Sequence, residues 1–453
     1  MSITRRSDGS RAITRLARVV RRLGVGALIG LIAPCGPAYA VTTERISVTS
    51  SEAEANADSP GQWGYQGWLV GLSEHARYVA FASDASNLVT RDTNRVADIF
   101  VRDRKRNTTT RISVSSSGAQ ADGPSFGLAM TPDARFIAFN SRASNLVRND
   151  RNGAGDIFVH DRRTQTTTRV SVSSNGAESE SYASAQPAIS DDGRFVAFAS
   201  DAGTLVARDV NPYQDVFIHD RHTGKTTLES VRSDGMQGDS FSGAPDISAD
   251  GRFIAFASAA TNFATAHDAS SSPTGAYVRD RLTGTTQQIS APGVGAADPF
   301  TAGSVHVAAR AGVLLLNRGT DVLAVGLNSN RQRCIACWTE PGDARWSYPG
   351  GISADGRLTT FHSEKSNLVP RDTNRVTDVF IRGWLTQRAI RVSVSARGFQ
   401  SQSPSTAAGI SPDGRYVAFI SRGSDVVRGD TNRRDDIFVR GPLPRRKVIP
   451  VGR

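Results

Sequence analysis

Residues 189–198 read Ile-Ser-Asp-Asp-Gly-Arg-Phe-Val-Ala-Phe, and this stretch decides the fold because it recurs. Close copies are 247–256 (ISADGRFIAF), 352–361 (ISADGRLTTF) and 410–419 (ISPDGRYVAF); weaker ones are 72–81 (LSEHARYVAF) and 130–139 (MTPDARFIAF). With the Ser or Thr as marker, the copies fall at 73, 131, 190, 248, 353 and 411, so successive gaps are 58, 59, 58, 105 and 58 residues. A fixed period of this length is the signature of a repeat architecture. The long gap is close to two periods and contains a degenerate copy, with Val313–Leu316 and Asp321–Val325 as its inner strands. The count is therefore seven units, or six if the degenerate one is not a blade.

Each unit reads as four short strands. Asp-Gly between apolar runs is a hairpin signal and joins strand one to strand two. Strand two, of Phe-Val-Ala-Phe type, is apolar on both faces, as in a sheet stacked between two others. Strand three is Asp98-Ile99-Phe100-Val101-Arg102 and its equivalents, and strand four is Arg169-Val170-Ser171-Val172 and its copies. Four-stranded units repeated radially make an all-β propeller. Arg45-Ile46-Ser47-Val48 matches a fourth strand but precedes the first complete unit, and the last unit ends at Asp436-Ile437-Phe438-Val439-Arg440 without one. The N-terminal strand is thus expected to complete the last blade, closing the ring and removing two open sheet edges.

Of 453 residues, 38% are hydrophobic, 21% are charged and 3 are Cys, which excludes disordered and disulfide-framework proteins. Residues 1–22 carry seven Arg and one acid, Asp8; an apolar run from Leu23 to Ala33 follows, and the segment ends Ala38-Tyr39-Ala40. That pattern reads as a secretory signal peptide over 1–40, too short to span a bilayer. The segment supplies more than half of the formal net charge of +11. The propeller is expected over 41–441, followed by a basic tail over 442–453 with Arg445, Arg446, Lys447 and Arg453. The tail reads as a solvated segment rather than a nucleic-acid patch. No transmembrane segment is expected in the mature chain, and the compartment is periplasmic or secreted.

Ser411 to Phe419 (SPDGRYVAF) and its copies resemble the WD-repeat-like propeller of the TolB family. The resemblance covers nearly all of 41–441 and implies an exported propeller acting as a protein-interaction platform. The α/β domain and six blades of that family are not matched by the seven units counted here.

Five loops between strands two and three share D-x-N-x-x-x-D-[IV]-F: Asp92/Asn94/Asp98, Asp150/Asn152/Asp156, Asp209/Asn211/Asp215, Asp372/Asn374/Asp378 and Asp430/Asn432/Asp436. Two carboxylates and an amide on a tight loop are hard oxygen donors of the kind Ca²⁺ takes. The pattern is similar to a shortened calcium loop of integrin-type FG-GAP propellers. The competing reading is metal-free, with Asp and Asn capping the turn. Cys334 and Cys337 form a C-x-x-C pair, read as a local disulfide, free thiols or a redox pair. Trp338, Trp346 and Tyr348 cluster in the irregular fifth unit and are candidates for a carbohydrate or protein contact; the competing reading is that they fill the gap between unequal blades.

No nucleophile elbow is present: Gly238-Asp239-Ser240-Phe241-Ser242-Gly243 is not G-x-S-x-G and occupies an inter-blade linker. The seven His are scattered. These features lead to a non-catalytic exported propeller that binds a protein or envelope component and no nucleic acid. The alternative is a polysaccharide- or peptide-acting enzyme, which requires acids or His from several blades to converge at one channel mouth.

Overall fold

The computed structural model describes residues 41–444, except 60–69, 181–182, 264–274, 290–305, 309–311, 319–320, 328–330, 338–344, 384–385 and 387. The N-terminal segment read as a signal peptide, and the basic residues from 445 onward, lie outside the described residues.

Seven four-stranded antiparallel sheets follow the repeat. Blade 1 is Val70–Leu72, Tyr78–Ser83, Asp98–Asp103 and Thr108–Arg111; blade 2 is Ser125–Met130, Phe136–Ser141, Asp156–Asp161 and Thr166–Arg169. Blade 3 is Ala183–Ile189, Phe195–Ser200, Asp215–Asp220 and Lys225–Leu228. Blade 4 is Ser242–Ile247, Phe253–Ser258, Gly275–Asp280 and Thr285–Gln288. Blade 5, the degenerate copy, has all four strands: His306–Ala308, Val313–Arg318, Asp321–Gly326 and Gln332–Ala336. Blade 6 is Ser347–Ile352, Leu358–Ser363, Asp378–Gly383 and Ala389–Arg391. Blade 7 is Ser405–Ile410, Val417–Ser421 and Asp436–Gly441, completed by Thr42–Arg45. That N-terminal strand pairs antiparallel with Asp436–Gly441, from Thr42 opposite Gly441 to Arg45 opposite Phe438.

The fourth strands lie three residues earlier than the sequence suggests. In blades 1, 2, 6 and 7 the strand ends at its Arg, and the following Ile/Val-Ser-Val is already the link to the next blade. The alternating β-branched residues imitate a strand, but Ser171 turns inward: its hydroxyl donates to Asp156 and accepts the Ile157 N–H at 3.1 Å. A single bridge, Val172 to Glu178, then turns the chain toward blade 3.

The core is the set of faces between blades. Ala80, Ile99 and Val101 of blade 1, for example, meet Leu128, Ile137, Phe139 and Phe158 of blade 2. Cross-strand aromatic pairs recur at one position, with ring centroids 5.8 Å apart for Phe81–Phe100, 5.9 Å for Phe198–Phe217 and 5.5 Å for Phe419–Phe438. Blade 5 puts Leu316 opposite Leu323 there, which is why its repeat is hard to see. The first strands face a central channel of about 240 Å³ whose described lining is mostly apolar, including Val70, Leu128, Met130, Ile247 and Ile410.

The first hairpin explains its Asp-Gly. Asp192 accepts from the Ser190 hydroxyl and the Arg194 N–H, and Gly193 sits at φ +73°. A Cβ on Gly193 would lie 2.1 Å from the Phe136 ring of blade 2. Gly224, in the hairpin joining strands three and four of the same blade, has φ +72° but open space around it. Gly193→Ala therefore combines left-handed strain with overlap and is expected to cost about 2–4 kcal/mol, whereas Gly224→Ala costs about 1 kcal/mol. Denaturant titration of the two variants checks this; equal losses would mean that the contact between blades 2 and 3 is not as tight as described.

Candidate functional site

The loops between strands two and three and the links between blades share one face of the ring, because strand direction alternates. The Asp/Asn loops sit there, each built around a buried carboxylate at the head of strand three. In blade 1 Asp98 accepts from the Ser113 hydroxyl and, at 3.0 Å, from the Asn94 amide, which also donates to Ala121 O at 2.9 Å. The other asparagines repeat this. Asn152 donates to Asp156 and to Ser179 O, both at 3.0 Å. Asn374 donates to Asp378 at 3.1 Å and to Ser401 O at 2.7 Å. Asn432 donates to Asp436 at 2.9 Å and to Ala55 O at 3.2 Å. Their amide oxygens, read from sequence as metal ligands, face the chain instead. Asn152 Oδ1 accepts the Ala154 N–H at 3.0 Å, Asn374 Oδ1 the Val376 N–H at 3.4 Å, and Asn432 Oδ1 the Arg434 N–H at 2.9 Å. Each asparagine thus caps its own turn two residues on.

The two loop carboxylates converge on an arginine at the end of strand four. Arg111 Nη2 lies 3.2 Å from Asp92 and its Nε lies 3.4 Å from Asp98. Arg169 stands between Asp150 and Asp156 at 3.3 and 3.1 Å, and Arg391 between Asp372 and Asp378 at 3.2 and 3.4 Å. In blade 7 the arginine comes from the N-terminal strand: Arg45 lies 3.3 Å from Asp430 and 3.6 Å from Asp436.

In four of the five loops read as calcium sites, then, a guanidinium of the chain's own occupies the space between the carboxylates. In Asp92/Asn94/Asp98, Asp150/Asn152/Asp156, Asp372/Asn374/Asp378 and Asp430/Asn432/Asp436 the carboxylates thus face a cation of the chain itself and the amides hold the turn. Sequence reading quoted these arginines only as strand markers. The signal was their constant distance from the second Asp (98 to 111, 156 to 169, 378 to 391), broken at 215 to 228, where Leu228 stands. Burial, the largest influence, pushes Asp98 up to about 6 against the Ser113 hydrogen bond and Arg111. Burial likewise lifts Asp150 and Asp430 to about 6, each helped by the second Asp of its loop.

On the opposite face, Arg252 hydrogen bonds hold Asp280 at about 2; burial raises Asp161, but hydrogen bonds from Arg135 and from the Arg163 and Thr164 N–H groups, with the Arg135 charge, together hold it at about 2. A raised carboxylate stabilises the fold below its unfolded value and loses that contribution as pH rises through about 6. A lowered one contributes above its unfolded value and loses it as pH falls through about 2. The melting temperature is therefore expected to peak near pH 4–5, to fall toward pH 7 and to fall again below pH 3. A scan at constant ionic strength tests this, and a melting temperature rising steadily from pH 4 to 7 contradicts it.

Arg111→Leu copies blade 3 into blade 1. It leaves two buried carboxylates unpaired and is expected to cost about 3–5 kcal/mol at pH 7. The loss shrinks at pH 4, where the carboxylates protonate. Thermal melts at the two pH values read it, and a loss independent of pH would place the damage in packing.

The second feature lies where the chain enters blade 6. Trp346, just before the innermost strand of blade 6, is 46% exposed. Its ring stacks on Tyr348 at 6.2 Å and 16°, and Tyr348 stacks on His362 at 5.1 Å and 21°. His362 Nδ1 is buried without a hydrogen bond, and burial pushes the imidazole down to about 4, so the ring is neutral at pH 7. Sequence reading placed Trp346 and Tyr348 together but missed His362, which the hairpin brings opposite Tyr348. Trp338 lies outside the described residues. Cys334 and Cys337 are disulfide-bonded, with Cα atoms 5.5 Å apart. A register shift between Val322 and Leu323 supplies the bend that a straight strand lacks.

Among the described residues no three His, Cys, Asp or Glu side chains converge to hold a metal, and Asp191 and Asp246 are the acids in the described channel lining. No described helix is long and apolar enough to cross a membrane.

No family model matches the chain, and no curated protein is detectably similar in sequence. Solved structures are similar in fold. An oligogalacturonate lyase from Vibrio parahaemolyticus aligns over 88% of this chain and 96% of its own, at 11% identity and TM-score 0.51. An oligogalacturonate lyase in complex with manganese aligns over 89% and 96%, at 12% identity and TM-score 0.51. TolB from Acinetobacter baumannii aligns over 77% and 60%, at 13% identity and TM-score 0.35. The class these findings define is the seven-bladed β-propeller. They overturn the non-catalytic reading: the two oligogalacturonate lyases, which align over nearly their whole length, are enzymes, so the fold gives no ground for excluding catalysis. The residues described around the channel do not form a site for the manganese of the second lyase.

Proposed function

We propose that the protein is an exported, saccharide-acting propeller that seats a sugar ring on Trp346, at the entry to the innermost strand of blade 6. The export signal read over 1–40 puts it in the periplasm or outside the cell, where envelope or environmental polysaccharides are the available substrates. The observation that carries the reading is the Trp346–Tyr348–His362 stack. A large aromatic left half-exposed, with two rings fixed behind it, is a rigid flat surface that loses little entropy when a ligand covers it. The apolar face of a sugar ring fits such a surface, and the neutral imidazole behind Tyr348 adds no charge to repel or bind an acidic group. Arg345 stands beside the platform, donating to Glu364 O at 3.3 Å and Ser366 Oγ at 3.2 Å, and brings positive charge close to it. The likeness to oligogalacturonate lyases supports the reading in one respect only: a propeller of this extent is nearly the whole of those enzymes.

Binding of neutral and uronic-acid oligosaccharides, followed by tryptophan fluorescence and calorimetry, tests the proposal together with release of new chain ends. At least one class is expected to bind. Trp346→Ala is expected to weaken that binding by tenfold or more while moving the melting temperature little, because the ring is half-exposed. Absence of binding across both classes, or equal binding by the variant, contradicts it.

A further inference from the structure

Blade 3 departs from its sister loops at one position. Where Arg111, Arg169, Arg391 and Arg45 stand, its fourth strand ends in Leu228. The rest of the loop is kept. Ser230 still donates to Asp215, and Asn211 still donates to Gly238 O at 2.8 Å.

With the guanidinium gone, a neutral amide takes its place. Gln237 Nε2 lies 2.7 Å from Asp209 Oδ1 and 2.6 Å from Asp215 Oδ2. In blades 1 and 6 the matching Gln120 and Gln400 are turned the other way and present Oε1 to Arg111 and Arg391. Asp215 is fully buried, and Asp209 Oδ2 is shut off from solvent and accepts no hydrogen bond. Two carboxylates in such a place lack the positive charge that repays their desolvation. The four sister loops show what the same backbone and the same two carboxylates hold: a cation, 3.1–3.6 Å away.

We propose that the blade 3 loop binds one hard divalent cation, of the Ca²⁺ class, between Asp209 and Asp215. The point now held by Gln237 Nε2 lies within a few tenths of an ångström of the 2.3–2.6 Å that Ca²⁺ takes from oxygen. The ion occupies that point, Asp209 Oδ2 gains its partner, and the Gln237 amide turns to present Oε1, as Gln120 and Gln400 already do. Val210 and Tyr213 on the same loop are exposed, so water has access to fill the remaining coordination positions. The loops carrying Arg111, Arg169, Arg391 and Arg45 bind no ion, because the guanidinium already stands there.

Calorimetric titration of the EDTA-stripped full chain with CaCl₂ tests this. The expected stoichiometry is one ion per chain, with a melting temperature that rises with the ion. Asp209→Asn is expected to weaken uptake tenfold or more. Leu228→Arg is expected to abolish it while melting in EDTA no lower than the unsubstituted protein, which separates loss of the site from loss of the fold. The same pattern with Mn²⁺ or Mg²⁺ in place of Ca²⁺ supports the site. Absence of saturable uptake of all three ions overturns the proposal, as does uptake unchanged in Leu228→Arg or a stoichiometry near five.

Discussion

A carboxylate with no access to water stands at the head of the third strand in five of the seven blades, and the ring depends on how it is satisfied. Asp98, Asp156, Asp215, Asp378 and Asp436 are each fully buried. Each accepts a hydrogen bond from a serine in the link that leaves its own blade. The same serine takes the N–H of the next residue on the third strand. One residue pair therefore fixes both the strand and the direction in which the chain departs for the neighbouring blade. A buried charge with this geometry tolerates little displacement, because any partner lost leaves desolvation uncompensated.

Closure uses the same device across the chain ends. At the other carboxylate hubs serine and aspartate are near neighbours in sequence; in blade 7 they are Ser47 and Asp436, separated by almost the whole propeller. Arg45 adds the cation, and Ile46 N–H adds a backbone bond to Ile437 O at 2.7 Å. The last blade is thus tied to the N-terminal segment by the contacts that tie the others internally. Variation on the hub then separates roles. Arginine makes it structural, Leu228 leaves a carboxylate pair facing an amide, and blade 5 has no Asp/Asn loop. Beside that fifth blade the aromatic stack stands at the entry to blade 6, so the departures from the repeat are where the proposed recognition chemistry lies.

Much of the architecture was legible because it rests on local signals. The Asp-Gly hairpins fix where strands one and two meet, and the two-faced apolar second strand announces stacking between sheets. Arg45-Ile46-Ser47-Val48 revealed closure because it repeats a pattern found later in the chain. What escaped is what the fold assembles across distance. The carboxylate pairs of the Asp/Asn loops were visible, but the arginine between them arrives from another strand, in blade 7 from the opposite end of the chain. Asn152, Asn374 and Asn432 were visible too, yet which end of each amide faces the carboxylate is set by a carbonyl some distance along the chain. His362 lies behind Tyr348 only because a hairpin folds it there. Strand ends were misplaced where Ser171 and its equivalents turn inward, a choice made by a hydrogen bond rather than by propensity. The non-catalytic reading failed for a different reason: absence of a motif in sequence says little about a fold that collects residues from many blades around one axis.

Hydrogen–deuterium exchange of the full chain tests the central claim, that residues 42–46 are the outer strand of the last blade, held by a buried ionic hub. Peptides covering 42–46 are predicted to exchange as slowly as the outer strands 108–111 and 166–169. Exchange of 42–46 at the rate of an unstructured terminus, with 436–441 still protected, would contradict closure by this strand and the account built on it.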